Sequence, residues 1–295
     1  MTHHPASELA QFEMMVEHNP SLKWYAVADA AQHKLLPGVV VHAGCKVGCL
    51  FGASQGSQIS RYTPHLVEMK SPSKDSIEWK WILRNAQSHP CVLVIATEVN
   101  FETLFCHLIR CTEVALPCGE LMFFAFWDPA ILGALVGQSD DLSLHVKGPI
   151  LSVEQRGALM RHMAQLWYWG RNGDIHVIKG EKLDTFRTAL PLRLDQRQVD
   201  ELVEASVPDH ILYYLELNQP LLVDKIPPAD RYELVSRSLQ RAREIGLIGV
   251  GDMLNFVCLE IIYKERMQQD SQILDILDRI KNGIVDFREA IKEFP

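Results

Sequence analysis

In the first half of the chain, short continuous apolar runs alternate with stretches of helical spacing. Residues 24–28 and 91–96 are runs of strand length, and the second reads as a central strand covered on both faces. Cys49-Leu50-Phe51 and Leu66-Val67 read as briefer strands. Residues 7–17 put Leu9, Phe12 and Val16 on one helical stripe. Residues 76–88 do the same with Trp79, Ile82, Leu83 and Ala86, and stop at His89-Pro90. Asn100 heads a helix whose inward face is Leu104, Phe105 and Leu108. Residues 112–116 and 121–127 flank Pro117-Cys118-Gly119-Glu120 and predict a hairpin. Asp128-Pro129 opens the next helix. Asp128 is its structural cap, Pro129 at the first helical position loses no needed hydrogen bond, and Gly137 ends it.

The second half changes character. Residues 151–169 read as helical, followed by a turn at Asn172-Gly173 and a strand at 175–178. From residue 195 the pattern predicts helices at 195–206, 209–217, 229–245, 252–268, 271–281 and 285–292. Pro208, Pro220, Pro227-Pro228 and Gly246, Gly249 and Gly251 punctuate them. The expected fold is α+β or α/β. An N-terminal lobe (residues 1–150) carries a mixed β-sheet flanked by helices, a connecting segment covers 151–190, and an all-helical lobe covers 191–295.

Composition narrows the function. The chain of 295 residues is 47% apolar and 22% charged, the balance of a folded protein. With 29 basic and 37 acidic side chains its net charge is −8, and both halves share the acidic excess, so nucleic acid and anionic membrane are disfavoured partners. No apolar run approaches the roughly 20 residues that span a bilayer, so stable membrane insertion is not expected. The N-terminus lacks the basic start and apolar centre of a signal peptide. Seven scattered cysteines, an odd number, read as reduced thiols and point to a cytoplasmic location.

Two patterns suggest an enzyme. Gly52-Ala53-Ser54-Gln55-Gly56 matches the nucleophile elbow of serine hydrolases, with Ser54 as nucleophile, but too short a strand precedes it and Pro64 blocks a long following helix. His42, Cys45 and Cys49 form a cluster of zinc-preferring side chains without the usual Cys-x-x-Cys spacing. Against both stands the ordinary reading of a flexible loop and buried thiols. No cofactor is expected. Aromatic residues supply a third kind of chemistry. Trp79 and Trp81 lie two apart on one helix, so they face different ways, and Trp167-Tyr168-Trp169 shares that property. Such rings fill cores or anchor interfaces.

Several stretches resemble one family. Trp24-Tyr25-Ala26-Val27-Ala28-Asp29-Ala30 is similar to its opening YAVLDAA strand, and Leu50-Phe51 to its LF-x-G turn. Trp79-x-Trp81-Ile82-Leu83 resembles its Trp-bearing segment, and His107-Leu108-Ile109-Arg110 its HLRR helix end. Phe124-Ala125-Phe126-Trp127-Asp128-Pro129-Ala130-Ile131-Leu132 resembles its FRFYDPRVL signature, with both arginines replaced by Ala125 and Ala130. Gly148-Pro149 matches the GP that closes the domain. More weakly, the 242–256 region is similar to its later helices. The family is the bacterial type VI secretion adaptor, or effector chaperone, family. The resemblance implies a non-enzymatic, cytoplasmic protein whose partners are a secreted effector and the VgrG spike. The helical lobe is the expected effector site, with Trp167, Tyr168, Trp169, Leu254 and Phe256 as candidate contacts. The alternative is a hydrolase built on Ser54 or on zinc held by His42, Cys45 and Cys49.

Overall fold

The computed structural model describes residues 5–33, 45–54, 57–88, 90–180 and 188–295. They divide into two compact units, Met1–Ala205 and Ser206–Pro295, and the division falls inside one long helix. The fold class is the expected one: a sheet with helices in the first unit, helices alone in the second.

The first unit is built on a six-stranded sheet of order β2-β3-β1-β4-β7-β8. Its strands are β1 (Lys23–Asp29), β2 (Val47–Cys49), β3 (Pro64–Met69), β4 (Val92–Thr97), β7 (Gln165–Trp169) and β8 (Ile175–Lys179). Every pairing in it is antiparallel, which corrects the expected mixed sheet. Alternation of strands and helices along a sequence does not fix strand direction, because a helix can also link antiparallel strands. The single parallel pairing among the described residues lies in a second, three-stranded sheet of β5 (Glu113–Ala115), β6 (Leu121–Phe123) and β9 (Leu192–Arg193), ordered β6-β5-β9.

Side chains alternate across the large sheet and build two cores. One face carries Trp24, Ala26, Val94 and Trp167, packed with Phe12 of helix α1 (Pro5–His18) and Trp79 of α2 (Ile77–Asn85). The other carries Tyr25, Val27, Leu93, Ile95 and Tyr168, packed with α3 (Phe101–Cys111), α4 (Pro129–Val136) and α5 (Val153–Leu159). Cover on both faces is why β4 is buried at all six positions and reads as a continuous apolar run.

Local chemistry sets the helix ends. Asn100 and Ser76 accept backbone N–H bonds at the starts of α3 and α2. Asp128 Oδ1 accepts from the Ala130 N–H at 2.9 Å, with Pro129 at the first helical position, and Gly137 closes α4 at φ +74°. The chain then returns along α4, where Ile150 N–H donates to Ala134 O and Leu151 N–H to Leu135 O. Gly148 precedes that return at φ +66°, and a Cβ there would stand 2.0 Å from Ala134 O, so no other residue fits.

Residues 151–190, expected as a connector, instead supply α5, β7 and β8, two of the six central strands. The expected helix to residue 169 stops at Leu159: Ser152 and Gln155 form the capping box that starts it, and the Trp167 run is a strand.

Helix α6 (Gln196–Asn218) begins in the first unit and continues into the second through Pro208, where the sequence predicts a break. Val207, Ile211 and Leu215 are buried in the second unit's core, and that packing outweighs the hydrogen bond a proline forfeits. The short α7 (Pro220–Val223) follows, then α8 (Arg231–Glu244), α9 (Val250–Tyr263), α10 (Arg266–Gln269), α11 (Ser271–Lys281) and α12 (Phe287–Ala290). Helix α9 puts Met253, Phe256, Val257 and Ile261 into the core. Arg241 of α8 pairs with Glu260 of α9, whose carboxyl burial pushes upward. No helix among the described residues is long and apolar enough to cross a membrane.

Candidate functional site

A cluster of exposed large apolar side chains in the first unit surrounds β6. Leu116 N–H donates to Glu120 O, and Phe124 N–H to Thr112 O, closing the β5–β6 hairpin over Pro117-Cys118-Gly119-Glu120. Gly119 turns it at φ +90°. All three β6 residues are solvent-facing, Leu121 at 59% and Phe123 at 52% exposure. Phe51, at 41%, meets Phe123 with ring centroids 4.9 Å apart. Beneath both lies Trp127, buried, 5.9 Å from Phe51 and 5.5 Å from Phe123. The Trp127 indole N–H donates to Asp29 Oδ2 at 3.1 Å, which fixes the floor of the patch to the end of β1.

Among the described residues β6 is also a free sheet edge. The bonded pairs Leu116/Glu120 and Phe124/Thr112 alternate with unbonded ones, so Leu121 and Phe123 turn their backbone N–H and C=O groups away from β5. Natural edges are usually blunted by lysine, proline or a bulge; β6 is short but carries three apolar residues and none of those devices. Exposed Glu113 and Glu120 flank it. Such an edge can accept an added strand through its main chain while the apolar side chains supply the contact area.

The residues expected as contacts lie elsewhere. Trp167, Tyr168 and Trp169 are all buried in β7, and Trp167 stacks on Trp24 at 5.5 Å within a cluster that includes Phe12. Phe256 is in the core of the second unit, and Leu254 is half-buried against that core. Of the helix pair read as facing different ways, Trp79 is buried and Trp81 sits at the margin against His33. The patch on Phe51 and β6 escaped sequence reading because an uninterrupted apolar run, 121–127, looks the same whether it is central or at an edge.

The enzyme patterns gain no geometry. Ser54 is exposed, the strand before it ends at Cys49, and the next described element is a 3-10 turn, Ile59–Tyr62. That is not the strand–turn–helix of an elbow. His42, Gln55 and Gly56 lie outside the described residues. Cys49 is buried with its thiol 3.2 Å from the Thr63 hydroxyl, and burial pushes the Cys45 thiol up. Among the described residues no group of three or more His, Cys, Asp or Glu is placed to hold a metal ion.

Two buried polar clusters were missed in the sequence. Tyr168 donates its hydroxyl to Asp141 Oδ2 at 3.0 Å, Asp141 also receives the Ser143 hydroxyl, and His176 Nδ1 lies 3.2 Å from Asp140 Oδ2. Burial, with the two carboxylates, drives the Tyr168 phenol well above its usual pKa, so it stays a donor. Tyr168, Asp141 and His176 are all buried, and the cluster ties the 138–147 loop to β7 and β8. His107 of α3 bonds Leu159 O through Nε2 at 2.9 Å and has its pKa lowered to about 4 by burial, so it is neutral. Beside it, the Cys111 thiol is pushed up to about 12.

Residues 24–145 match the model of a family described as a domain of unknown function, DUF4123, a family linked to type VI secretion effector adaptors. The match runs from β1 to the loop after α4, so it contains Phe51, all of β6 and Trp127. No curated protein and no solved structure matches the chain.

Proposed function

We propose that this chain is a non-enzymatic adaptor of type VI secretion. In this reading it holds a secreted effector in the cytoplasm, helps load it onto the VgrG spike, and is left behind. An adaptor must cover apolar effector surface and later release it, which calls for exposed apolar area with free hydrogen-bonding groups and no acid–base pair. The observation that carries the reading is the patch of Phe51, Leu121, Met122 and Phe123 at a free strand edge, inside the family-matched stretch. Contacts of this kind give modest, reversible affinity, which suits a protein that hands its cargo on.

The test is co-purification from the native strain, with mass spectrometry to identify the captured effector, for the native chain and for the double variant Phe51→Asp/Phe123→Asp. The expected outcome is an effector that co-purifies with the native chain, is lost with a folded double variant, and is depleted from cells lacking the chain. An effector that stays stable and is secreted normally in a deletion strain overturns the proposal.

A further inference from the structure

The polar cluster against β7 and β8 contains a gap that its own hydrogen bonds leave unfilled. His176 is 3% exposed and Asp141 1%, and their facing atoms, Nε2 and Oδ2, stand 3.8 Å apart. Among the described residues Nε2 has no hydrogen-bond partner. On the other side of the ring, Nδ1 lies 3.2 Å from Asp140 Oδ2. An ionised carboxylate only accepts, so Nδ1 carries the proton, and a neutral ring turns its Nε2 lone pair toward Asp141. Two buried acceptors that face each other are costly unless something positive stands between them. A second ring proton bridges this gap poorly, because hydrogen bonds close at about 2.7–3.2 Å. A divalent metal bridges it well: bonds of about 2.0–2.2 Å to nitrogen and to oxygen span it at a wide angle.

The surroundings fit such an ion. Gly170, just before the Asn172-Gly173 turn, leaves the approach open. A Cβ there would stand 2.9 Å from His176 Nε2, 3.1 Å from Asn172 Oδ1 and 3.3 Å from Asp141 Oδ2, so three donors converge beside this glycine. Each donor is held by partners of its own. Asp140 orients the imidazole. The Tyr168 hydroxyl donates to Asp141 Oδ2 at 3.0 Å, and the Ser143 hydroxyl to Asp141 Oδ1 at 2.6 Å. The Asn172 amide nitrogen donates to Asp174 Oδ2, while its oxygen accepts the Asp174 N–H at 3.2 Å with a lone pair to spare. Outer partners of this kind orient metal ligands and raise their basicity.

We infer that His176 Nε2, Asp141 Oδ2 and Asn172 Oδ1 bind a divalent transition-metal ion of the zinc class. One imidazole among oxygen donors suits zinc better than calcium or magnesium, which prefer oxygen alone. Asn172 is exposed, so water reaches the ion from that side and completes its shell. Only two of the three ligands are His, Cys, Asp or Glu; the third is an amide. The site shares no residue with His42, Cys45 and Cys49. Its ion would join the 138–147 loop to the β7–β8 turn, apart from the patch on β6.

The test is calorimetric titration of zinc chloride into the full chain. A bound ion is expected that His176→Gln weakens at least tenfold and Asn172→Ala at least threefold. Gly170→Ala keeps all three donors but fills their approach, and is expected to weaken binding at least tenfold. Cobalt(II) in place of zinc should give a visible spectrum without a thiolate charge-transfer band. No binding of zinc, unchanged binding in a folded His176→Gln chain, or a thiolate band that marks the cysteines as ligands overturns the inference. Asn172 is exposed, so Asn172→Ala carries the test should the buried substitutions fail to fold.

Discussion

The Trp167 and Phe123 stretches have nearly the same chemistry and opposite fates. Leu166-Trp167-Tyr168-Trp169 lies in β7, between β4 and β8, and none of its four residues is more than slightly exposed. Leu121-Met122-Phe123 lies in β6, at the rim of the small sheet, and all three residues face solvent. Aromatic content does not separate core from contact surface; rank within the strand order does. A strand with neighbours on both sides and helices over both faces has nowhere to present a ring. A rim strand with one neighbour presents side chains and backbone together.

Trp167→Ala should give the largest effect, a loss of about 3–5 kcal/mol in the first unit's stability, as for aromatic truncations in packed cores. A urea titration followed by near-UV dichroism reads it. A loss under about 1 kcal/mol would mean that β7 is not interior and would erase the contrast.

Acidification attacks the buried side of the comparison. Folded His107 has its pKa lowered to about 4 by burial, while in the unfolded chain it returns to about 6.5. Above pH 6.5 both states are neutral and stability is unaffected. As pH falls from 6.5 to 4 the unfolded chain takes up a proton that the folded one refuses. Stability therefore drops by up to roughly 3 kcal/mol. Burial shifts His65 and His162 the same way, so the attribution rests on His107→Gln. That variant should flatten the decline in denaturation midpoint between pH 7 and pH 4.5, and an unchanged slope would remove His107 as its source.

Asp128 sits at the seam, one residue after the floor of the patch. Asp128→Ala should cost about 0.5–2 kcal/mol through the lost helix cap while leaving effector capture intact. Intact stability with lost capture would make Asp128 a contact residue. The smallest stability change belongs to Phe123→Ser, less than about 1 kcal/mol, because half of the ring is already in water. The same substitution should weaken effector co-purification most. If it unfolds the chain instead, β6 is core after all.

What sequence reading could see follows the range of each interaction. Asn100, Ser76 and Asp128 act on backbone groups two or three residues away, so their helix starts are legible in the chain itself. β4 is legible because cover on both faces writes an unbroken apolar run. The antiparallel order of the large sheet is not, since Trp167 meets Val94 only after long stretches of intervening chain. The uninterrupted α6 is hidden for a related reason: the core contacts of Val207, Ile211 and Leu215 outweigh a local breaker. The patch was missed because Phe51 and Phe123 converge from distant positions, and the Tyr168–Asp141 bond because its partners carry no motif.

The exposed apolar rim of β6 has a consequence for how the protein is kept, as well as for what it is proposed to hold. Uncovered apolar strand edges recruit one another, so the chain should be colloidally least secure when its partner is scarce. A cell making it in excess would accumulate self-associated material, whereas matched synthesis of the two proteins would keep each edge occupied. Dose, more than affinity, would then govern how much of the protein remains usable.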